Sequence, residues 1–181
     1  MVVTEKATGK KNKVRLLGVD TPEIDFNGFS QGEAAQRARD YLRSLIPLNA
    51  EVIIKPQEKS MDSNGRTLGQ IFYQGQDINS LMLKAGWGAL YFIYPFEKKL
   101  VADYIKASGE AYQNNRGLFS SSYQQVALPY IFRQEMKGVP GNNLVGDFST
   151  KRLNQDISAI PAYRRVFFSS ENIALTQGYH W

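Results

Sequence analysis

The densest group of chemically capable side chains lies between residues 14 and 23. Arg15 sits on an apolar strand, and two carboxylates, Asp20 and Glu23, flank the Thr-Pro pair at the end of that strand. A guanidinium binds phosphate or carboxylate oxygens in pairs. A carboxylate can bind a hard cation or accept a proton. The group therefore indicates either a site for an anionic substrate or a plain strand end whose acidic residues are solvated.

A second candidate, Arg66, follows a polar turn that starts at Asp62 and leads into another strand. The Asn64-Gly65 pair inside this turn is a strong hairpin signal on its own. The turn therefore needs no function, and Arg66 taken alone is more typical of an ordinary surface arginine.

Composition narrows the chemistry that these residues can perform. The 181 residues contain no cysteine and a single histidine, His180. This excludes a disulfide framework, a cysteine-ligated zinc or iron–sulfur site and a thiol nucleophile. It also argues against histidine-pair metal sites and Ser-His-Asp catalysis. Catalysis would therefore rest on carboxylates, arginines, lysines, tyrosines or a hard metal ion. The net charge of +5 is a mild basic bias that only hints at a polyanionic partner.

The elements that position these residues follow from the apolar pattern. It predicts strands near residues 2–3, 13–19, 51–55 and 67–73, a helix between Ser30 and Pro47, and helices near 77–85 and 97–115. Strands grouped around separate helices favour the α+β class. A small antiparallel barrel is the natural way for so few strands to hide their edges.

One geometric condition must be met for the first group to converge. Arg15 and Asp20 are five residues apart, so strict alternation along a strand places them on opposite faces. A bulge near Gly18, or a strand that ends before Asp20, is needed to bring the two side chains together.

The last third of the chain differs from the rest. Residues 120–181 are rich in Ser, Asn and Gln, yet they also hold many of the aromatic residues. This favours a packed C-terminal extension over a disordered linker. Apolar runs at 163–168 and 173–179 predict a β-hairpin near 163–179. The alternative to simple packing is an interaction surface built on Arg164 and Arg165.

Taken together, these residues resemble the staphylococcal-nuclease-like (thermonuclease) family. Its R-L-x-x-[IV]-D-T-P-E segment is matched by residues 15–23, and its D-x-x-G-R segment by residues 62–66. Residues 77–86 match its second helix, and residues 116–119 match the usual close of its core. The resemblance covers residues 2–119 in order.

The resemblance implies a five-stranded OB-type antiparallel barrel with three helices over residues 1–119, followed by the extension at 120–181. It also implies a calcium-dependent nuclease, a hydrolase that acts on phosphodiester bonds of DNA and RNA as an endonuclease or exonuclease, with single-stranded substrate preferred.

The same resemblance assigns roles to individual residues. Arg15 and Arg66 would bind the phosphate and stabilise its transition state, and Glu23 would activate or orient the attacking water. Asp20, through its carboxylate, and Thr21, through its backbone carbonyl, would bind Ca²⁺.

Tyr91 falls where the family packs a tyrosine against the nucleotide, and a core aromatic is the other interpretation of this residue. The alternative function is a catalytically weak or inactive OB-fold module that binds single-stranded nucleic acid through aromatic residues and a basic groove. Such a module has no need to keep Arg15, Glu23 and Arg66 together. Their joint presence favours the enzyme.

The sequence departs from the family at its start. The family has an earlier strand with a D-G-D-T-like segment whose second aspartate is a metal ligand, and no such segment precedes Val2. We therefore expect an incomplete calcium site, either because this is a shortened form of a longer protein or because the protein binds metal weakly or not at all.

A barrel without its first strand has an unpaired edge. We expect the aromatic extension, or that of a neighbouring copy in a homo-oligomer, to cover it. No segment has the length of a membrane span, and residues 1–6 show no signal-peptide pattern. Family members are often exported, so the resemblance is compatible with a secreted or cell-envelope location.

Overall fold

The computed structural model describes residues 1–62, 64–138 and 144–181, so Ser63 of the 62–66 motif lies outside the described residues. The strands are β1 (Val2–Thr4), β2 (Lys11–Leu16), β3 (Gly18–Asp20), β4 (Ile53–Met61), β5 (Thr67–Tyr73), β6 (Gln76–Asp77), β7 (Ala89–Tyr91), β8 (Leu144–Asp147), β9 (Leu153–Asn154) and β10 (Arg165–Phe168). The α-helices are α1 (Gly32–Leu45), α2 (Ile78–Lys84), α3 (Lys98–Gln113), α4 (Pro129–Lys137) and α5 (Glu171–Thr176). The α+β class predicted from the sequence is confirmed.

The main sheet has the strand order β1-β2-β5-β4, with β6 paired to β5. One detail differs from the predicted antiparallel barrel, because β2 and β5 run parallel, with Arg15 opposite Leu68. The reason is the connection between them. The chain leaves β2, crosses through α1 and returns by the antiparallel pair β4 and β5, and a crossover of this kind permits parallel neighbours.

The strand that carries Arg15 is interrupted at Gly18. β2 ends at Leu16 and β3 begins at Gly18, which has a φ of +72°. A Cβ atom at this position would lie 2.2 Å from the ring of Phe92. Only glycine combines this backbone conformation with such a close neighbour. The predicted interruption near Gly18 is thus confirmed, and β3 pairs with β7 instead of continuing β2 in the main sheet.

A buried asparagine fixes the two sides of this interruption. Asn79 on α2 donates from Nδ2 to the carbonyl oxygens of Leu17, at 2.9 Å, and Gly69, at 3.1 Å. Its Oδ1 accepts from the backbone N–H of Ile71 at 3.0 Å. The side chain therefore satisfies a carbonyl that the broken strand no longer pairs, and it ties α2 to the main sheet.

Residues 1–119 and the C-terminal extension at 120–181 contribute to one hydrophobic core. Tyr104 on α3 and Val14 on β2 lie in the same cluster as Val166 and Phe168 on β10. The backbone of Phe167 donates to the carbonyl of Phe92 and accepts from the N–H of Tyr94, each at 2.8 Å. The strand β10 is therefore joined to the segment that follows β7 by hydrogen bonds as well as by packing.

The predicted β-hairpin near 163–179 is wrong in its second half. β10 forms as predicted, but its partner is β8, with Arg165 opposite Asp147. Residues 171–176 form α5 because Ser170 caps that helix: its hydroxyl oxygen accepts from the N–H of Ile173, and Glu171 lies in the first turn. Capping and the helix dipole favour this ending over an extended strand.

The two arginines of the alternative interaction surface make contacts within the fold. Arg165 is buried and donates from Nη1 to the Tyr130 hydroxyl at 2.8 Å. Arg164 forms an ion pair with Asp147 at 2.9 Å. These contacts agree with packing on the core. Within the described ranges, every helix is too short or too polar to cross a bilayer.

Candidate active site

Arg15 and Asp20 meet because the strand breaks between them. Arg15 Nη2 donates to Asp20 Oδ1 at 3.1 Å. Asp20 is buried, with 4% of its side chain exposed, whereas a quarter of the Arg15 side chain is exposed. Buried carboxylates in proteins are paired with cations or hydrogen-bond donors, and Arg15 is one such partner of Asp20.

Glu23 follows Pro22 in the loop after β3, and its backbone is held by Gln31. The Glu23 N–H donates to Gln31 Oε1 at 3.0 Å, and the Gln31 N–H donates to the Glu23 carbonyl at 2.8 Å. Gln31 immediately precedes α1, so the start of this helix positions the glutamate. The Glu23 side chain remains 26% exposed.

A residue that sequence reasoning missed joins the two carboxylates. Arg133 on α4 donates from Nη1 to Asp20 Oδ1 at 2.9 Å and to Glu23 Oε1 at 2.7 Å. Its Nη2 donates to Asp20 Oδ2 at 2.8 Å. We call Arg15, Asp20, Glu23 and Arg133 the carboxylate cluster.

The electrostatics of Arg133 reflect this position. Burial lowers the pKa of its guanidinium, but the Asp20 and Glu23 carboxylates raise that pKa by more, and the net result lies above the usual arginine range. Arg133 is therefore a permanent positive charge between two carboxylates.

Arg66 forms its hydrogen bonds with Asp62 and not with the residues of the carboxylate cluster. Its Nε donates to Asp62 Oδ2 at 2.8 Å, and its backbone N–H donates to Asp62 Oδ1 at 2.9 Å. In the parallel register Arg15 lies opposite Leu68 on β5, and Arg66 lies two residues before Leu68. Across the ranges that the structure describes, no hydrogen bond or ion pair connects Arg66 to the cluster.

Hydrogen bonds within this turn change the pKa of the Asp62 carboxyl group. Burial raises it, but hydrogen bonds from the backbone and side chain of Arg66 and from the backbone of Asn64 lower it by more. The net pKa lies below the usual aspartate range, which keeps Asp62 ionised and Arg66 held. We call the described residues Asp62, Asn64, Gly65 and Arg66 the Asp62 turn.

Tyr91 lies beside the cluster but is packed against other aromatic rings. Its ring is stacked on Tyr130, with centroids 5.3 Å apart and planes 15° apart, and it contacts Phe167 at 4.9 Å. The guanidinium carbons of Arg15 and Arg133 lie 5.8 and 5.9 Å from its ring centre. The structure thus places Tyr91, which is partly buried, next to the charged groups and against a hydrophobic cluster.

The residues predicted to bind calcium do not fit that ion in this arrangement. Calcium takes six to eight oxygen ligands. Here both Asp20 oxygens and one Glu23 oxygen accept hydrogen bonds from guanidinium groups. Among the described residues, no group of three or more acidic, histidine or cysteine side chains could hold a metal ion. Thr21 follows Asp20 directly and leads out of β3.

The sequence indicates some residues of the site much more clearly than others. Arg15, Asp20 and Glu23 lie within nine residues and form a recognisable motif. Arg133 lies 110 residues from Glu23 and 113 from Asp20. The one local signal near it is a helix start, with Pro129 at its first turn, and this signal carries no information about the carboxylates.

Comparison with known proteins finds a matching family and several relatives. Residues 13–121 match the family model described as staphylococcal nuclease homologue. The chain is 28% identical over 176 residues to a protein named Endonuclease YhcR of Bacillus subtilis (strain 168), covering 92% of this chain and 14% of that protein.

Two further relatives are eukaryotic. The chain is 29% identical over 134 residues to Staphylococcal-like nuclease CAN1 of Arabidopsis thaliana, covering 74% of this chain and 37% of that protein. It is 30% identical over 125 residues to Probable endonuclease LCL3 of Komagataella phaffii, covering 63% and 51%. The chain therefore spans between 14% and about half of the length of these relatives.

Proposed function

The chain belongs to the staphylococcal nuclease family, and on that basis we propose that it is a nuclease that hydrolyses phosphodiester bonds in DNA and RNA. The observation that carries the proposal is the convergence of Arg15, Asp20 and Glu23 at the interrupted strand. A hairpin with only a structural role does not need a glycine-dependent break that turns an arginine and two carboxylates toward one point.

The proposed reaction follows from the chemistry of the substrate. A phosphodiester is an anion, so water attack must overcome repulsion and stabilise added charge on the phosphoryl oxygens. Arg15 and Arg66 supply this stabilisation through charge-assisted hydrogen bonds. Glu23 takes a proton from the attacking water as the new P–O bond forms. The bond from phosphorus to the leaving sugar oxygen breaks, and that oxygen takes up a proton from solvent.

Two conditions follow for the residues in these roles. Glu23 must present an oxygen to water, and in the described chain Arg133 reaches only its Oε1. Arg66 must exchange part of its pairing with Asp62 for the phosphate. Its side chain is 35% exposed, so substrate can reach it without unfolding of the Asp62 turn.

The role of Tyr91 in binding single-stranded substrate remains a prediction. Because one face of its ring is stacked on Tyr130, we expect any contact with a nucleotide to use the part of the ring nearest Arg15 and Arg133. The calcium dependence predicted through Asp20 and Thr21 is not part of this proposal, because guanidinium groups occupy both Asp20 oxygens. No step of the proposed reaction passes through the ion, because the cluster as arranged holds guanidinium groups.

One observation favours the second candidate function, a binding module with weak or no catalysis. The carboxylate of Glu23 is paired with Arg133 at 2.7 Å, so a guanidinium occupies an oxygen that could otherwise contact water. The joint presence of Arg15 and Glu23 in one site favours the enzyme.

The test is cleavage of labelled single-stranded DNA and RNA, each with and without Ca²⁺. We expect Glu23→Gln to lower the rate by about a hundredfold or more, the usual range for loss of a general base, and Arg15→Gln and Arg66→Gln to lower it as well. Arg43→Gln, on the exposed side of α1, is the matched control. Equal rates for all four variants and the wild type would refute the assignment, and tight binding without cleavage by the wild type would favour the binding module.

A further inference from the structure

The carboxylate cluster contains a cation that is part of the protein. Three hydrogen bonds, between 2.7 and 2.9 Å, hold the Arg133 guanidinium against both Asp20 oxygens and Glu23 Oε1. These are the carboxylates to which family resemblance assigns metal binding and catalysis. With Arg15 on the same aspartate, two positive charges meet two negative ones within the cluster.

The helix that carries Arg133 is firmly anchored. Tyr130, one turn earlier on α4, is 2% exposed and accepts a hydrogen bond from the buried Arg165 at 2.8 Å. It packs in a hydrophobic cluster with Val145 and Phe167. A buried aromatic ring with a satisfied hydroxyl is costly to remove from its site. The helix is therefore built into the fold.

A second anchor joins the same segment to the glutamate loop. Gln31 Nε2 donates to the carbonyl of Ala127, just before α4, at 2.7 Å. The same side chain accepts from the backbone N–H of Glu23 through Oε1. One glutamine thus sets the spacing between the loop that carries Glu23 and the helix that carries Arg133.

The position of Arg133 also suits contact with substrate. About a fifth of its side chain is exposed, next to the partly exposed Arg15 and Glu23. Guanidinium has five N–H donors, of which three are used by the two carboxylates. A cation here performs two tasks that a metal ion performs in phosphoryl chemistry: it screens the carboxylates from an incoming anion, and it offers positive charge to that anion.

We propose that Arg133 takes the place of a divalent cation in this site, so that the chain binds and cleaves single-stranded nucleic acid without calcium. This inference rests on the proposed nuclease function and adds a residue to it. Arg133 would touch the phosphate together with Arg15, while its hydrogen bonds hold Asp20 and Glu23 in position.

The first test measures binding of a short labelled single-stranded DNA with phosphorothioate linkages, which resist hydrolysis, by fluorescence anisotropy. We expect the wild type to bind equally well in EDTA and in Ca²⁺. Arg133→Gln should weaken binding in EDTA by about tenfold or more, the range for loss of hydrogen bonds to a charged group. Arg133→Lys keeps the positive charge but loses the paired N–H donors of the guanidinium, so its affinity should lie between those of the wild type and Arg133→Gln. Arg43→Gln should match the wild type, and circular dichroism checks that each variant is folded.

The second test measures Ca²⁺ binding directly, by titration calorimetry without nucleic acid. We expect no binding heat for the wild type, because the carboxylates are occupied, and measurable binding for Arg133→Gln, in which they are released. Calcium should then restore part of the DNA binding that this variant has lost. A wild type that binds Ca²⁺ and needs it to bind or cleave DNA would overturn the inference and make Arg133 a competitor of the metal.

Failure of this inference differs from failure of the proposed function. If the wild type requires Ca²⁺ but Glu23→Gln and Arg66→Gln still lose cleavage, the nuclease assignment stands and only the role of Arg133 falls. If those two variants cleave like the wild type, the nuclease site itself is wrong, whatever the calcium dependence.

Discussion

The carboxylate cluster and the Asp62 turn both pair arginine with aspartate, but they are built in opposite ways. In the cluster, Asp20 accepts from Arg15, five residues away, and from Arg133, 113 residues away. In the turn, Asp62 and Arg66 are four residues apart. The Asp20 side chain is 4% exposed and those of Arg15 and Arg133 are 25% and 19% exposed, whereas the side chains of Asp62 and Arg66 are 12% and 35% exposed. One site exists only when the whole chain is folded, and the other is a local structure.

This difference has energetic consequences. Removing one partner of a buried ion pair leaves a charge without compensation, and this costs much more than removing an exposed pair. The cluster should therefore be coupled strongly to the free energy of unfolding, and the Asp62 turn weakly. Substitutions at the two sites should therefore separate effects on the free energy of unfolding from effects on the cleavage rate.

The largest expected effect is at the strand break that assembles the cluster. Gly18→Ala places a Cβ atom against the Phe92 ring, 2.2 Å away, at a φ of +72°. We expect the free energy of unfolding to fall by about 3 kcal/mol or more, since backbone strain and overpacking add. Urea unfolding followed by circular dichroism measures this change.

A matched control separates the two causes. Gly75 has nearly the same conformation, with a φ of +77°, but a Cβ atom added there would have no neighbouring atom within 4 Å. Gly75→Ala should therefore show only the backbone cost, about 1 kcal/mol. Equal losses for the two variants would mean that the contact with Phe92 is unimportant and that the break at Gly18 is set by other forces.

The second effect concerns the long-range half of the cluster. Arg133→Met keeps much of the length of the side chain but leaves Asp20 with Arg15 alone. We expect a loss of about 2 kcal/mol, below the full cost of breaking a buried pair because Arg15 remains and Glu23 is partly exposed. Urea unfolding at neutral pH is the measurement. A loss no larger than that of Arg66→Met would remove the contrast between the two sites.

Several features of the site can be predicted from the sequence because their causes are local. Because Arg15 and Asp20 are five residues apart, the strand must break or bulge near Gly18 if the two side chains are to meet. The Asp62 turn follows from its Asn-Gly pair. In both cases the information lies within a few residues of the structure that it determines.

The remaining features depend on long-range packing, which periodicity does not encode. Arg133 reaches Asp20 because α4 is anchored by Tyr130 and Arg165, and no spacing in the sequence relates these residues. The apolar run at 173–179 predicts a strand, but packing of Ala174 against the core, together with the cap at Ser170, makes residues 171–176 helical. Here tertiary context outweighs the apolar pattern.

A smaller, pH-dependent effect is expected at the Asp62 turn. The pKa of Asp62 is lowered in the folded protein, so its stabilising contribution is present above its unfolded pKa, near 3.9. That contribution is lost as the pH falls through the folded pKa, which lies below this value. At neutral pH we expect the free energy of unfolding of the wild type to be about 1 kcal/mol higher than that of Asp62→Asn. This difference should shrink toward zero in more acidic solution. Urea unfolding at several pH values measures it, and a constant difference would contradict the pairing.

The smallest effect on stability should come from Arg66→Gln. Solvent screens the exposed guanidinium, so loss of its pair with Asp62 should lower the free energy of unfolding by less than about 1 kcal/mol. If Arg66 binds the phosphate as proposed, the same variant should still lose most of the cleavage activity, because a charge-assisted contact in the transition state is lost. Urea unfolding and cleavage rates measured on one preparation separate the two quantities. Parallel small losses in both would make Arg66 an ordinary surface arginine, and a large loss of activity with retained stability would show that the locally built site also performs chemistry.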